Sequence, residues 1–321
     1  MHELPRRVTF AGHDVPVDNP DVHRRISTWY NFYLSKPWQI VLWLERAHRF
    51  FPIIEESLVA NDLPEDLKYL AVVESNLQPR AVSSADAEGI WQFTHDTAES
   101  FGLEITPLID ERGDVFTATE AAVQFLERAH ADLEDSWVLA SAAFNAGIDG
   151  IRSRVARQNT DDYWQMVFPP ETEDYVPKAI AVKLIMENAH AFGLSPEHPL
   201  SEIRRVSIRV PDKPVYLSDI ASFTGTSFRE VWEANSHIGK PYLPPGEYAL
   251  VFTTDSGRSA DEVQAHLADR PYSRREYQVA ESDTLESISE AVEVSVDELR
   301  AFNDLESSDT LTPGETVTYW R

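Results

Sequence analysis

The sequence predicts a mainly α-helical domain followed by two small α+β units. Two observations support this prediction: apolar residues recur at helical spacing up to about residue 200, and the rest of the chain contains one pattern twice. With 321 residues, 42% of them hydrophobic, the chain is long enough for about two domains with sizeable cores. We place the helical domain at 1–200, the two units at 206–253 and 274–321, and a linker at 254–273.

The helical domain is predicted to be built from amphipathic helices. They span residues 21–34, 37–60, 121–133 and about 171 or 175 to 190. Trp38 is expected in the core of the second helix. Thr117 and Glu120 have the spacing of a capping box at the start of the third, and Gly193 is expected to cap the last.

The second half of the chain contains an internal repeat with a gapless offset of 68 residues. Its matched pairs include Leu217 and Leu285, Ile220 and Ile288, Ser227 and Ser295, Glu230 and Glu298, Asn235 and Asn303, and Gly246 and Gly314. The Ser-x-x-Glu of each copy is a capping box, and β-rich runs flank each copy. Each unit is therefore predicted to run strand, helix, helix, strand, with a further short helix near 259–267.

Glu74 lies on an unexpected side of a predicted helix. Residues 61–75 are expected to be helical, with Asp62 as the N-cap and an apolar stripe formed by Leu63, Leu67, Leu70 and Leu77. The spacing places Glu74 on the core-facing side, where burial raises the pKa of a carboxyl group and makes it suitable as a general acid. The alternative is a glutamate at a helix end that reaches water.

Three segments downstream carry polar groups in or beside helices, and the first of them suits a sugar-binding wall. The run from Gly89 to Phe93 mixes amide and indole groups with apolar ones, as in a sugar-binding wall. Residues 141–147 are predicted to form a buried helix that ends at Gly147, with Asn145 in its last turn. Glu171 and Tyr175 are spaced i, i+4 at the start of the last helix.

These motifs together resemble those of the lytic transglycosylases of the soluble-lytic-transglycosylase and goose-type lysozyme superfamily, in particular the membrane-bound lytic transglycosylase D type. The resemblance rests on Glu74-Ser75, Gly89-Ile-Trp-Gln92, Asp110-Glu-Arg-Gly-Asp114, Ala143-Phe-Asn-Ala-Gly147 and Glu171-Thr-Glu-Asp-Tyr-Val176. It implies a lysozyme-like fold for the helical domain. Phe144 stands where this family usually has tyrosine.

The resemblance implies a catalytic mechanism with one carboxyl group. Glu74 would protonate the glycosidic oxygen after N-acetylmuramic acid and then deprotonate the C6 hydroxyl of the same sugar, which leaves a 1,6-anhydro end. The residues implied in substrate binding are Ser83, Gln92, Phe144, Asn145, Glu171 and Tyr175.

Two other functions stay open from the residues. A conventional glycosidase needs two carboxyl groups, and Asp86, Glu88 and Glu171 are candidates for the second, although solvated loop charge is the simpler interpretation of Asp86 and Glu88. One alternative is therefore a hydrolytic lysozyme, in which a carboxylate such as Asp86 positions water. The other is a non-catalytic wall-binding protein.

The second repeat copy resembles the LysM module. The resemblance rests on Tyr277, Ser282-Asp-Thr-Leu285, Asn303 and Leu311-Thr-Pro-Gly314. It implies binding to glycan that contains N-acetylglucosamine. The first copy lacks the Asp-Thr pair and begins with Pro211-Asp-Lys-Pro, so it is interpreted as a degenerate LysM-like module.

Composition excludes several classes of partner. The net charge of −26 argues against nucleic-acid binding, which needs a basic surface. The chain contains no cysteine, and its ten histidines show no metal-ligand spacing, so we expect neither a metal nor a cofactor. No apolar run is long enough to cross a membrane. The expected partner is the glycan strand of peptidoglycan, bound by a monomer.

The N-terminus lacks the apolar core of a secretory signal. The resemblance nevertheless implies a periplasmic or envelope-associated protein. On that basis the chain is expected to be a processed or truncated form of an exported protein.

Overall fold

The chain divides into two compact units in the computed structural model, which describes residues 2–210, 214–253, 257–268, 274–303, 305 and 309–320. Unit 1 comprises Met1–Ile203 together with Ser236–Gly239, and unit 2 comprises Arg204–Asn235 and Lys240–Arg321. Parts of the predicted linker, 254–256 and 269–273, lie outside the described residues, as do 211–213 at the start of the first repeat copy.

Unit 1 is helical apart from a short N-terminal hairpin of β1 (Val8–Phe10) and β2 (His13–Val15). Its helices are α1 (Pro20–Leu34), α2 (Pro37–Ala60), α3 (Lys68–Ser75), α4 (His95–Ser100), α5 (Val115–Asp132), α6 (Trp137–Ala146), α7 (Ile148–Gln158) and α8 (Pro170–Glu187). The sequence predictions for α1 and α2 are confirmed. A 3₁₀ turn capped by Gly193 follows α8, so the predicted helix end at 190 falls in this turn.

Helix α8 is the central helix of unit 1, because it packs against α1, α3 and α6. Its middle is buried around most of its circumference, from Val176 to Ile185. A helix that is apolar on nearly all sides is typical of a core position. Its exposed N-terminal turn, with Glu171, is therefore held at the edge of a rigid core.

Two core and capping predictions in unit 1 are wrong. Trp38 is 64% exposed, and Trp43, five residues later on α2, occupies the core instead with 1% exposure. Thr117 lies inside α5, because Asp114 begins that helix by accepting a hydrogen bond from the backbone N–H of Phe116 at 2.9 Å. An aspartate three residues earlier satisfies the free N–H groups that the predicted box was expected to cap.

The helix that carries Glu74 starts later than predicted. Asp62 has a φ of 60° and caps no helix; a 3₁₀ turn over Glu65–Leu67 leads into α3 instead. The apolar stripe is confirmed, since Leu63, Leu67, Leu70 and Leu77 are all buried. The inward direction of this segment was therefore predictable, although its first turn was not.

Both repeat copies lie in unit 2 except for Ile203 and Ser236–Gly239. Each copy follows the predicted order of strand, helix, helix, strand, and the first copy has two additional short strands. The first copy comprises β3 (Ile203–Val210), β4 (Val215–Tyr216), α9 (Leu217–Thr224), α10 (Phe228–Ala234), β5 (Tyr242–Leu243) and β6 (Gly246–Thr253). Helix α11 (Ala260–Ala268) follows, and then β7 (Arg274–Gln278), α12 (Leu285–Val292), α13 (Val296–Phe302) and β8 (Thr316–Trp320). Strand β3 pairs with β6, β4 with β5, and β7 antiparallel with β8.

The repeated asparagine makes the same hydrogen bonds in both copies. Asn235 donates to the carbonyls of Val231 and Val251 at 2.8 Å and accepts from the N–H of Val251 at 2.7 Å. Asn303 bonds in the same way to Leu299 and Thr318. One side chain thus joins the second helix of a copy to its last strand, which explains why both copies carry asparagine here. Both predicted Ser-x-x-Glu capping boxes are confirmed.

Within the part of the chain that the structure describes, no helix is both long enough and apolar enough to cross a bilayer.

Candidate functional site

Glu74 lies in the last turn of α3, and the chain around it is held by α2. Asn76 ends the helix in the left-handed region, with a φ of 55°. Its side-chain oxygen accepts hydrogen bonds from Gln39 and from the Trp43 indole, both at 2.8 Å. A residue two positions after Glu74 is therefore fixed to a neighbouring helix, which limits the movement of the acid.

A second anchor lies directly beside Glu74. Ser75 is 3% exposed, and its hydroxyl donates a hydrogen bond to the carbonyl of Ile90 at 2.9 Å. This bond ties the end of α3 to the loop of residues 81–93. The Glu-Ser pair therefore combines an acid with the side chain that positions the adjacent loop.

Tyr175 of α8 is the direct partner of Glu74. Its phenol donates a hydrogen bond to Glu74 Oε1 at 2.5 Å and is itself buried. Burial raises the pKa of the phenol well above its usual value, so Tyr175 stays protonated and remains a donor.

The surroundings of Glu74 favour its protonated form. The side chain is partly exposed, yet protein atoms surround most of it. Burial raises its pKa from 4.5 to about 7; the Tyr175 hydrogen bond opposes this change, the Glu171 charge adds to it, and the Lys178 charge opposes it. A carboxyl group with this pKa can both give and take a proton near neutrality.

The end of α6 lies against the start of α8, next to this pair. Asn145 donates to Glu171 Oε1 at 3.3 Å and accepts from the Thr172 hydroxyl at 2.8 Å. Glu171 is exposed at the surface. Since Glu171 also acts on the pKa of Glu74, the structure brings Glu74, Asn145, Glu171 and Tyr175 into one region.

Gln92 braces the loop of residues 81–93. It has a φ of 52°, and its amide nitrogen donates to the carbonyls of Ala81 at 3.0 Å and Gly89 at 2.9 Å. Gly89 lies so close to the Arg112 carbonyl oxygen that a Cβ there would be 1.8 Å from it. The half-buried Gln92 side chain keeps its amide oxygen without a protein hydrogen bond among the described residues.

The predicted sugar wall of indole and amide groups is wrong for the indole. Trp91 is 1% exposed, and its N–H donates to the Thr119 hydroxyl at 3.0 Å inside the core. Phe144 packs its ring against Trp91 and Phe93, with ring centroids 5.6 and 5.7 Å apart, and is half-buried. The aromatic residues therefore support the loop from behind.

Ser83 closes a turn in its own loop. Its hydroxyl oxygen accepts hydrogen bonds from the backbone N–H groups of Ala85 at 3.2 Å and Ala87 at 3.0 Å. No hydrogen bond joins Ser83 to Glu74 within residues 2–203.

Arg112 holds the same loop from below, and its role was not predicted from the sequence. The guanidinium is 5% exposed and donates to Asp110 at 2.7 Å, to the Asp86 carbonyl at 2.7 Å and to Glu88 at 3.3 Å. The interpretation of Glu88 as solvated loop charge is wrong, because this half-buried carboxylate pairs with Arg112. The Asp-Glu-Arg-x-Asp motif indicated this segment, but the contacts of Arg112 with Asp86 and Glu88 join distant parts of the chain and could not be predicted from the motif.

The segment around Arg112 is itself anchored within unit 1. The N–H of Asp110 donates to the carbonyl of His237 at 2.8 Å, and the Ser236 hydroxyl donates to the carbonyl of Gly113 at 2.6 Å. Residues Ser236–Gly239 therefore act as structural support for the segment that carries Arg112.

A metal site has no support in the described part of the chain, where no group of three or more His, Asp or Glu side chains could hold an ion.

Comparison with protein-family models matches residues 51–167 to the Transglycosylase SLT domain and residues 277–319 to the LysM domain. The chain therefore contains an SLT transglycosylase domain and a LysM domain. The first match includes Glu74, Gln92 and Asn145 and ends before Glu171 and Tyr175. The resemblances drawn from the motifs are thereby confirmed at the level of domains.

Among curated proteins, the chain is similar to membrane-bound lytic murein transglycosylase D of Escherichia coli strain K12, with 31% identity over 290 residues. That alignment covers 85% of this chain and 64% of the relative, so the chain spans less than two thirds of the relative's length. It is also similar to membrane-bound lytic murein transglycosylase F 1 of Alkalilimnicola ehrlichii, with 27% identity over 62% of this chain and 39% of the relative. A putative tributyltin chloride resistance protein of an Alteromonas species is 33% identical over 37% of this chain and 56% of the relative.

Proposed function

We propose that this protein is a peptidoglycan lytic transglycosylase that cleaves the β-1,4 bond between N-acetylmuramic acid and N-acetylglucosamine. The observation that carries the proposal is the half-buried Glu74, with its pKa raised to about 7 and its hydrogen bond to Tyr175. The SLT domain and the two relatives named as lytic murein transglycosylases support the same reaction.

The reaction uses Glu74 twice. Protonated Glu74 gives its proton to the glycosidic oxygen, the bond from this oxygen to C1 of the muramic acid breaks, and an oxocarbenium-like state forms. The Glu74 carboxylate then takes the proton of the C6 hydroxyl as O6 bonds to C1. A 1,6-anhydro sugar is left, no water is consumed, and Glu74 is protonated again.

Two of the three candidates for a second carboxyl group already have partners, which supports this one-acid mechanism. Glu88 pairs with Arg112, and Glu171 accepts a hydrogen bond from Asn145. A hydrolase would need a carboxyl group free to activate water or to attack the sugar. The short Tyr175 bond to Glu74 stabilises the carboxylate that forms after the first proton transfer.

Substrate contacts are assigned to the polar groups around Glu74. The Gln92 amide oxygen accepts no hydrogen bond from the residues that the structure describes, and Asn145 at the end of α6 donates to Glu171 at the start of α8. These three bind the sugar hydroxyl and acetamido groups, and Tyr175 orients the acid. Ser83 shapes the loop near the sugar, and Phe144 supports it from behind.

The other expectations complete the proposal. Residues 1–200 form the catalytic domain, 206–253 a degenerate LysM-like module, 254–273 a linker and 274–321 a LysM module that holds the glycan strand. The protein acts as a monomer in the periplasm or at the cell envelope, where its substrate lies.

Mass spectrometry of the products released from purified sacculi tests the proposal. We expect muropeptides with 1,6-anhydro ends and no reducing end. Products heavier by one water, with reducing ends, would indicate the hydrolytic lysozyme, and binding to sacculi without release would indicate the non-catalytic protein.

A further inference from the structure

The four lysines of unit 1 have two kinds of surroundings. Lys68 and Lys183 each pair with a carboxylate, at 2.5 and 2.7 Å. Lys36 and Lys178 lie over aromatic rings, as Lys68 does, but no carboxylate pairs with either of them in the described part of unit 1. The chain carries 54 acidic residues against 28 basic ones, so this lack of a partner is unexpected.

The two unpaired ammonium groups belong to one surface. Lys178 Nζ lies 4.4 Å from the centre of the Trp29 ring, and Lys36 Nζ lies 3.9 Å from the centre of the Phe32 ring. The two rings meet edge to face with centroids 5.3 Å apart. Phe32 is 42% exposed, and the other three side chains are partly exposed. We name these four residues the Trp29 ledge.

The ledge begins beside the proposed acid. Lys178 follows Tyr175 by three residues on α8 and therefore lies on the same face of that helix. Its charge acts on Glu74, as the pKa of that residue records. Since α1 packs against α8, the ledge continues from the site along α1 to Lys36.

Such a surface suits an anionic ligand. An ammonium group over a ring face gains only about 0.5–1 kcal/mol at an exposed site and keeps N–H donors for another partner. Asp174 lies one helical turn before Lys178 but forms no ion pair with it in the described structure. The charge of the ledge is therefore opposite to that of the chain as a whole, which is −26.

We propose that the Trp29 ledge binds the carboxylates of the stem peptide on the glycan strand. This inference rests on the proposed function, because the bond placed at Glu74 belongs to a muramic acid, and the lactyl group of that sugar carries the peptide. The peptide thus leaves the strand next to Glu74, where the ledge begins. Its carboxylates bind Lys178 and Lys36, and its aliphatic groups contact the faces of Trp29 and Phe32.

Affinity measurements in a Glu74→Gln background test the ledge without turnover. The ligands are short peptidoglycan chains with stem peptides, and the same chains after an amidase has removed the peptides. We expect Lys36→Gln to weaken binding of the stem-bearing chains about threefold. The protein with both Lys36→Gln and Lys178→Met should bind them about tenfold more weakly than the protein with neither substitution, and both losses should be smaller at high salt. Lys178→Arg should restore most of the affinity, since it keeps the charge and the stacking.

Arg128→Gln is the matched control, because it removes the same charge from an exposed side chain of α5. Equal affinity of the Lys36→Gln and Arg128→Gln proteins for stem-bearing chains would overturn the inference. Amidase treatment leaves a free lactyl carboxylate on the muramic acid. Equal losses of affinity for chains with and without stem peptides would therefore also overturn the inference, because the ledge would then bind the lactyl carboxylate. Failure of the proposed function is recognised separately, as the absence of anhydro products from the unmutated protein.

Discussion

Glu74 and Glu88 are both half-buried carboxyl groups of unit 1, and burial is the main cause of a raised pKa in both. They differ in the group that they contact. Glu88 pairs with the buried Arg112 guanidinium at 3.3 Å, whereas Glu74 accepts a hydrogen bond from the neutral Tyr175 phenol.

This difference decides what each carboxyl group can do. A guanidinium in contact with Glu88 favours its ionised form and fixes it in the network that holds the loop of residues 81–93. Tyr175 positions Glu74 without a full positive charge in contact, so the proton stays exchangeable near neutrality. The contacting donor, rather than burial alone, separates a proposed acid from a structural carboxylate.

Substitution of the two carboxyl groups should have its largest effect on the rate of catalysis. Glu74→Gln should lower the rate of muropeptide release by about 10²- to 10⁴-fold, since general acid–base catalysis contributes that much. Glu88→Gln is the matched control and should lose far less, because Arg112 keeps its bond to Asp110. Equal losses in the two proteins would remove the distinction between the carboxyl groups. Release is measured as soluble anhydromuropeptide over time.

Removal of the Arg112 guanidinium should mainly lower the stability of the fold. Arg112→Met leaves Asp110 and Glu88 half-buried without their partner, and we expect the free energy of unfolding to fall by about 3 kcal/mol. Arg152→Met, which breaks the exposed ion pairs of Arg152 with Asp132 and Asp149, should cost less than about 1 kcal/mol. Urea unfolding of both proteins measures the difference, and similar midpoints would contradict the structural role of Arg112.

The raised pKa of Glu74 also predicts a pH-dependent cost to stability. The folded protein binds this proton more tightly than the unfolded chain, so the free energy of unfolding falls as pH rises from about 4.5 to about 7. Glu74→Gln should avoid the loss and gain about 2 kcal/mol relative to the unmutated protein between pH 4 and pH 8, allowing for the partial exposure of the side chain. A difference that does not change with pH would be evidence against a raised pKa.

The smallest expected effect concerns the Tyr175 hydrogen bond. Tyr175→Phe removes a donor to the Glu74 carboxylate, so the pKa of Glu74 should rise further, by about one unit. The fall in activity at high pH should move upward by the same amount, as measured in a profile of rate against pH. A downward movement would contradict the direction of the hydrogen bond.

Local patterns predicted the parts of the fold that short-range physics determines. The helical spacing of four leucines placed Glu74 on an inward side, and the gapless repeat predicted both strand–helix–helix–strand units. The prediction of a helix cap at Thr117 was wrong, because Asp114 caps the same helix three residues earlier. The prediction that Trp38 lies in the core was wrong, because helical spacing alone does not determine which of two nearby tryptophans enters the core.

The candidate site was less predictable, since its decisive contacts join distant parts of the chain. The Glu74–Tyr175 bond spans 101 residues, and the Asn76 bonds reach back to α2. Motifs identified the acid and its neighbours, but not the roles of Arg112 and Lys178. Trp91 shows most clearly that a motif does not determine the direction of a side chain, because its indole points into the core although it directly precedes Gln92.

Burial next to the neutral Tyr175 phenol gives Glu74 a pKa near neutrality. A ¹³C NMR titration of the Glu74 side-chain carboxyl, assigned by comparison with Glu74→Gln, measures this value directly. We expect a midpoint of about 7. A midpoint near the ordinary glutamate value of 4.5 would contradict a raised pKa.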